Sequence, residues 1–350
     1  MPRLRKSDCS GPGIQRRRRG KGFEYLDDEG EKIMEPEDVE RIGELRIPPA
    51  WEDVWICADP LGHLQATGVD AAGRKQYLYH EQWRTRRDQE KFDEMIEFAQ
   101  ALPELRRKIA RDLRKRNMGR ERVLACAVRL LDRGFFRVGG EDYAVENESY
   151  GLATMRKQHV TVARSGAIAF DYPAKSGQRR VQSLLDPEVV EVVRCLKRRR
   201  GGGDELLAYQ DGRRWRDVKS PDINEYVKQV SGGDFSAKDF RTWNATVLAA
   251  VALAVSGQAK LTQTGRKRAA ARAVKEVARY LGNTPAVCRA SYIDPRVFDR
   301  FQSGLTIGGV LPSYVNDVET DNASLQGEVE QAVIDLIAKD VSSPALEKVA

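Results

Sequence analysis

Near Arg87 the hydrophobic pattern of this 350-residue chain changes period, and that change limits the folds open to it. Before it, Trp51–Ala58, His63–Val69 and Lys75–His80 read as short strands, separated by turn sequences such as Asp59-Pro60-Leu61-Gly62. Glu37–Leu45 reads as one short helix. Beyond Arg87, Phe92, Met95, Ile96 and Ala99 share a helical face in Lys91–Gln100. Pro103 is expected to start a second helix reaching Arg116, and Arg120–Arg133 a third. Strands return at Tyr150–Met155, His159–Val162 and Ala167–Tyr172, the last two joined by the turn Arg164-Ser165-Gly166. The remainder reads as helical: Pro187–Arg199, Pro221–Val230, Ala237–Val255 and Arg266–Leu281, the last closed by Gly282. The expected class is α+β, with a small β-rich N-terminal domain (residues 1–85) and a mainly helical domain containing a small antiparallel sheet (86–316).

Charge sharpens this division. The chain carries 59 Lys+Arg against 52 Asp+Glu, a net of +7. Residues 317–350 hold eight acids and two lysines, −6, so residues 1–316 hold +13. A basic body favours a polyanionic partner, nucleic acid first. Within the acidic segment, Ser324–Lys339 places Leu325, Val329, Ala332, Val333, Leu336 and Ile337 on one stripe. It reads as an amphipathic helix that either docks on the body or stays in a solvated tail. Residues 1–22, with four consecutive arginines at 16–19, read as a flexible arm.

Several chemistries are excluded. The longest apolar run, Val247–Val255, has nine residues, whereas a membrane-spanning helix needs about 20. Five cysteines are widely spaced without a CxxC, which argues against a disulfide framework or a zinc site. The basic N-terminus is followed by no apolar core, so no secretory signal is expected and the chain is placed in the cytoplasm. The three histidines, His63, His80 and His159, do not pair at metal-ligand spacing. No GK[ST] loop follows the glycine clusters, and no GxSxG occurs. A site built from arginine, lysine and tyrosine remains.

Five segments, in order, then carry a resemblance. They are IPPAWEDVWIC (47–57), GRKQYLYH (73–80), LLDRGFFRVGGEDYAVENESYGLATMRKQHV (130–160), AKDFRTWNATV (237–247) and YLGNTPAVCRASY (280–292). PAKSG (173–177) lies between the third and fourth. Together they resemble the poxvirus-like type IB DNA topoisomerases in their bacterial branch, over roughly residues 14 to 303. That family cuts one strand of double-stranded DNA with a tyrosine and holds the break as a 3′-phosphotyrosyl ester. The resemblance implies Tyr292 as nucleophile, with Arg137, Lys175 and Arg241 as the catalytic cations. It implies no cofactor, no metal and no membrane partner, and a monomer that closes on DNA as a C-shaped clamp, nucleoid-associated. Asn283, nine residues before Tyr292, stands where poxvirus members have a histidine. An amide donates a neutral hydrogen bond to phosphate, weaker than a charged one.

The same resemblance implies DNA contacts by Gln76, Tyr77, Tyr79, Tyr143 and Lys238. Gly140 and Asp142 replace lysines of the poxvirus type, so fewer charged contacts are expected there. Elementary chemistry agrees with the set: guanidiniums bind phosphate in a bidentate way, and a lysine can protonate a poor alkoxide leaving group. Two alternatives stay open: a tyrosine recombinase, which usually has HxxR where this chain has Lys238-Asp239-Phe240-Arg241, and a non-catalytic DNA-binding clamp.

Overall fold

The computed structural model describes residues 3–257, 262–312 and 326–349, with the side chains of residues 143 and 176 outside that description. The chain divides into two compact units, residues 1–93 and 94–350.

The first unit holds β1 (Ile14–Arg19), β2 (Gly22–Leu26), α1 (Pro36–Glu44), β3 (Glu52–Ile56), β4 (Leu64–Val69) and β5 (Lys75–Tyr79). The strands form one antiparallel sheet in the order β2-β1-β3-β4-β5. Its core joins Ile14, Ile42, Val54, Ile56 and Ala66, with Trp51 and Leu78 packed against them. β4 is buried along most of its length, including Gln65, whose Nε2 donates to the Gly62 carbonyl at 2.7 Å. That bond removes the cost of burying the amide.

Residues 14–19 are therefore not the flexible arm that their arginines suggested. Period two places Arg16 between outward neighbours on the face that Ile14 shares. Its guanidinium donates to the carbonyls of Pro48 (3.2 Å) and Trp51 (2.6 Å), and stands 4.2 Å over the Phe23 ring. Arg17 and Arg19 point outward and both pair with Glu24 of β2.

One helix, α2 (Glu81–Leu113), crosses the division between the units. The break expected at Pro103 does not occur. Proline removes a single backbone donor, and Phe98, Leu102, Leu105 and Ile109 bury one face on both sides of it. The second unit continues with α3 (Arg120–Gly134), α4 (Glu141–Asn147), β6 (Val160–Val162), β7 (Ala167–Pro173), β8 (Arg179–Leu185), α5 (Pro187–Arg198), β9 (Ala208–Asp211) and β10 (Arg214–Asp217). Then come α6 (Ser220–Ser231), α7 (Ala237–Gly257), α8 (Gln263–Leu281), α9 (Pro285–Ser291), α10 (Pro295–Gln302), β11 (Leu305–Thr306), α11 (Glu328–Ala338) and β12 (Glu347–Lys348). The mainly helical character and the small sheets agree with the expected α+β class.

α7 is the axis of this unit, buried along most of its length and packed against α3, α8, α10 and α11. β6, β7 and β8 make a three-stranded antiparallel sheet, and β9–β10 and β11–β12 make two small ladders. Three details differ from the sequence reading. Residues 150–155 form turns rather than a strand, since Leu152, Ala153, Thr154 and Met155 are buried without a ladder partner strand. β8 begins at the end of the region read as strands but was not itself named as one, and the β9–β10 hairpin lies where only helices were expected. β8 was hidden because its alternation is inverted: Val181 and Leu185 face solvent, and Arg180 and Gln182 turn inward. The acidic C-terminal segment packs into the body over its described residues. Val329, Ala332, Val333, Leu336 and Ile337 of α11 are buried, and β12 pairs with β11. Residues 324 and 325, the start of the expected amphipathic helix, lie outside the described residues.

Candidate active site

The site is assembled at the C-terminal end of α8. The last carbonyls of a helix have no partner within it. Here Gly282, at φ +62, turns the chain back, with the Gly282 N–H on the Arg279 carbonyl (3.3 Å) and the Asn283 N–H on that of Ala278 (3.0 Å). This is a Schellman closure, and only glycine adopts its positive φ without strain. The carbonyls of Leu281 and Gly282 are left facing outward, at the negative end of the helix dipole.

Two arginines fill those positions. Arg241 of α7 donates Nη2 to the Leu281 carbonyl (2.9 Å) and Nη1 to that of Phe135 (2.6 Å). Phe135 follows α3 with φ +55, an unusual conformation for an aromatic residue, and this aims its carbonyl at the guanidinium. Arg137 donates Nη2 to the Gly282 carbonyl (3.1 Å) and to the amide oxygen of Asn283. A guanidinium has donors only, so the Asn283 oxygen must face it, and the Nδ2 amide is turned elsewhere. Among the described residues no carboxylate pairs with Arg137 or Arg241. Both charges are held by carbonyl and amide oxygens and stay available to an anion. Nε of Arg241 and Nδ2 of Asn283 are buried donors that make no well-formed hydrogen bond among the described residues, the Asn283 amide being turned towards the Tyr292 phenol.

Tyr292 closes α9, which Thr284 caps and Pro285 begins. Its N–H bonds the Cys288 carbonyl (3.0 Å), and its carbonyl accepts from the Thr246 hydroxyl (3.3 Å) on α7. The same hydroxyl accepts from the Asp294 N–H at 3.1 Å, so one threonine pins both sides of the tyrosine. The Arg241 Cζ stands 5.3 Å from the centre of the Tyr292 ring. Burial pushes the phenol up, but the charges of Arg241 and Arg137, aided by the donors of Arg241 and Asn283, outweigh it and hold it below its ordinary value. Arg241 itself, only 4% exposed, is brought down to about 10 by burial and by repulsion from Arg137.

Lys175 lies in a turn of 3₁₀ helix between β7 and β8, and its side chain is exposed. It lines an open cleft of about 290 Å³ together with Arg137, Tyr150, Lys238, Arg241 and Tyr292. The floor is formed by Gly139 and Gly151, whose backbones touch: a Cβ on Gly139 would stand 2.9 Å from the Gly151 Cα. The structure thus brings together Arg137, Lys175, Arg241, Asn283 and Tyr292, with Lys238 exposed at the rim.

The remaining expected residues stand elsewhere. Tyr77 and Tyr79 share the exposed face of β5, 48% and 39% open, with rings stacked at 6.2 Å. Gln76 alternates to the other face and donates to Asp70 at 2.9 Å. Its amide therefore does not share the tyrosine face. Tyr143 sits on α4, with its side chain outside the described residues. Sequence reading missed Arg180, Tyr172 and Tyr150 at the site. An adjoining cleft is lined by Arg137, Tyr150, Tyr172, Lys175, Arg180 and Arg241 among others. The only signal for Arg180 was its place two residues before Gln182, legible once β8 is known to be a strand.

Comparison with known proteins defines the class first. A family model described as eukaryotic DNA topoisomerase I, catalytic core, matches residues 80–305, and one described as bacterial DNA topoisomerase IB, N-terminal domain, matches residues 22–70. DNA topoisomerase 1B of Acanthamoeba polyphaga mimivirus is 34% identical over 299 residues, 83% of this chain and 88% of that one. DNA topoisomerase 1 of Mycosarcoma maydis is 24% identical over 194 residues, 50% of this chain and 19% of that one. For DNA topoisomerase 1 of Schizosaccharomyces pombe the identity is 26% over 160 residues, 45% of this chain and 19% of that one. The chain belongs to the type IB DNA topoisomerase family, a family of isomerases.

Proposed function

We propose that this chain relaxes supercoiled duplex DNA by transient cleavage of one strand through Tyr292. The Tyr292 oxygen attacks the scissile phosphorus and forms a P–O bond while its proton passes to water. The P–O5′ bond breaks, leaving a 3′-phosphotyrosyl ester, and Lys175 gives a proton to the departing O5′. Arg137 and Arg241, with the free N–H of Asn283, stabilise the charge that gathers on the non-bridging oxygens. The downstream duplex then rotates about the intact strand, and the 5′-hydroxyl attacks the phosphotyrosine to reseal the break. The ester keeps the energy of the broken bond, so resealing uses neither ATP nor metal.

One observation supports this reading: a buried guanidinium without a carboxylate partner among the described residues stands 5.3 Å from the centre of a tyrosine ring and favours its phenolate. Arg106, a buried arginine away from the cleft, is by contrast neutralised by Asp132 and Glu330. The two units close on the duplex as a monomeric C-shaped clamp, in the cytoplasm on the nucleoid. Residues 1–85 supply DNA contacts through Tyr77 and Tyr79 on the open face of β5, with Gln76 contributing only if it leaves Asp70, while Tyr143 and Lys238 contact DNA from the catalytic part, Lys238 at a phosphate. Residues 86–316 supply the chemistry. Binding by a body of this charge falls steeply with salt.

The test is a covalent adduct on a strand labelled at its 5′ or its 3′ end, alongside plasmid relaxation without ATP or Mg²⁺. Adduct formation that retains the 5′ label and is lost in Tyr292→Phe is expected. An adduct that retains only the 3′ label, or relaxation by Tyr292→Phe, overturns the reading. Lys175→Ala is expected to slow cleavage by about 10²–10⁴-fold while DNA binding changes little.

A further inference from the structure

Arg180 and Gln182 take no part in the steps above, yet they join the lysine loop to the two turns that hold the site arginines. They sit on β8, the strand that returns from the loop carrying Lys175, and both turn inward. In the hairpin register Arg180 lies opposite Tyr172 and Arg179 opposite Pro173. The loop itself is closed by the Ala174 N–H on the Gln178 carbonyl, 2.8 Å. Arg180 is thus the first inward side chain below the lysine loop.

From there two bonds leave the hairpin. Arg180 Nη2 donates to the Tyr280 carbonyl in the last turn of α8. Its Nε donates to Gln182 Oε1 (3.0 Å), and Gln182 Nε2 donates to the Gly134 carbonyl (2.9 Å) at the end of α3. The next carbonyls along those two segments, Leu281 and Phe135, hold Arg241, and Gly282 holds Arg137. The brace therefore ties the hairpin to the same two turns that fix the phosphate-facing guanidiniums. Arg180 does this as a half-buried cation: burial brings it below the usual arginine range, against an opposing pull from Tyr172 and with a lesser push from Arg137. A neutral side chain would avoid that cost, so a role confined to packing does not account for the arginine.

We propose that Arg180 and Gln182 are positioning residues that set where the Lys175 ammonium stands relative to the phosphate gripped by Arg137 and Arg241. The inference rests on the acid role given to Lys175 above. A lysine reaches its target on a flexible four-carbon stem, so the loop backbone decides its range and the brace decides where the loop lies. Arg137 and Arg241 have carbonyl bonds of their own, which the brace does not supply.

The experiment uses the full chain in single-turnover cleavage of two duplexes. One carries an ordinary phosphodiester at the cleavage site. The other carries a 5′-bridging phosphorothiolate, whose thiol leaves without a proton. Lys175→Ala, Arg180→Gln, Arg180→Lys and Gln182→Ala are compared with the unaltered chain, each with its Tm. Arg180→Gln is expected to lose about 100-fold on the oxygen substrate, the scale of a 1 Å misplacement. On the sulfur substrate it is expected to come within about threefold of the unaltered chain, because the proton is no longer needed. Arg180→Lys and Gln182→Ala should fall between, with the same recovery on sulfur. If Arg180→Gln does not fold, Gln182→Ala carries the comparison. Equal losses on both substrates by the folded variants overturn the inference. Failure of Lys175→Ala itself to recover on sulfur overturns the acid reading, whereas recovery of Lys175→Ala without recovery of Arg180→Gln overturns only the positioning role.

Discussion

The guanidinium of Arg137 donates to the amide oxygen of Asn283, and that bond decides which end of the amide is free. With the oxygen committed, Nδ2 is a buried donor whose one neighbour of the right kind is the Tyr292 phenol, with which it makes no well-formed bond. In water-excluded surroundings an uncompensated donor costs about 1–3 kcal/mol, which a phosphate oxygen would return on binding.

Asn283→Ala is therefore expected to reduce single-turnover cleavage by about 100-fold, the usual loss for one donor aimed at developing charge. Asn283→Asp should lose more. It keeps the bond to Arg137, but replaces the free donor by a carboxylate oxygen that repels the phosphate. Rates measured with saturating enzyme separate this from weakened binding. Cleavage by Asn283→Asp as fast as by the parent would remove Asn283 from the site.

Arg241 governs the phenol. Burial alone would raise the Tyr292 pKa, and the nearby cations reverse that. Removing the charge in Arg241→Gln takes away the largest of the influences that oppose burial, so the phenol should titrate higher than in the unaltered chain. Ultraviolet difference titration against the matching Tyr292→Phe chain reads this directly. The sign also bears on rate. Cleavage by the unaltered chain should rise with pH below the ordinary tyrosine range and fall as Arg241 loses its proton near 10. A pH profile flat from 6 to 9 would mean that deprotonation of Tyr292 does not limit the step.

Much of this site could be read from the sequence because its side chains sit in contiguous motifs. Gly282-Asn283-Thr284-Pro285 announces a helix end, a turn and a new helix start, and Tyr292 follows by one short helix. What escaped was fixed by tertiary contact. Arg16 reads as one of four solvated arginines until β1 is paired and its alternate face becomes core. Arg180 escaped because β8 turns Arg180 and Gln182 inward and exposes Val181 and Leu185, the reverse of an ordinary amphipathic strand. The negative charge of the C-terminal segment suggested solvent, although Glu330 spends its charge internally on Arg106.

Asp186 provides a stability test with a definite pH direction. It caps α5 through the Val189 N–H (3.3 Å) and pairs with Arg129 (2.9 Å) and Arg133 (3.0 Å). Burial raises its pKa, but the two arginines and the cap bond lower it further, so the net value is depressed. A depressed carboxylate contributes stability above its unfolded pKa of about 3.9 and loses it as pH falls through the lower folded value. Asp186→Asn keeps a capping oxygen but not the charge, and should cost about 2 kcal/mol at pH 7. The gap between the two chains, from urea unfolding, should shrink below pH 4. A gap independent of pH would show that the charge contributes nothing.

The last expectation concerns the C-terminal helix behind the catalytic one. Glu330 of α11 accepts from Arg106 (2.5 and 2.9 Å) and from the indole N–H of Trp243 (2.7 Å), which is two residues beyond Arg241 on α7. Arg106 also makes two 2.9 Å bonds to Asp132 of α3. Burial lowers its pKa, but the bonds and charges of Glu330 and Asp132 together raise it above the ordinary arginine value. Removing one partner of such a buried set costs about 3–5 kcal/mol, because the other is left without compensation. Glu330→Ala should lose that much, measured by urea unfolding of the full chain. Glu330→Gln, which keeps an oxygen for Trp243 and for one Arg106 donor, should lose less. A chain ending at residue 316 should lose more than either, since it also uncovers the faces against which Val329, Val333, Leu336 and Ile337 pack. If Glu330→Ala unfolds within about 0.5 kcal/mol of the parent, the range of an ordinary surface substitution, then α11 only rests on the body and does not brace α7.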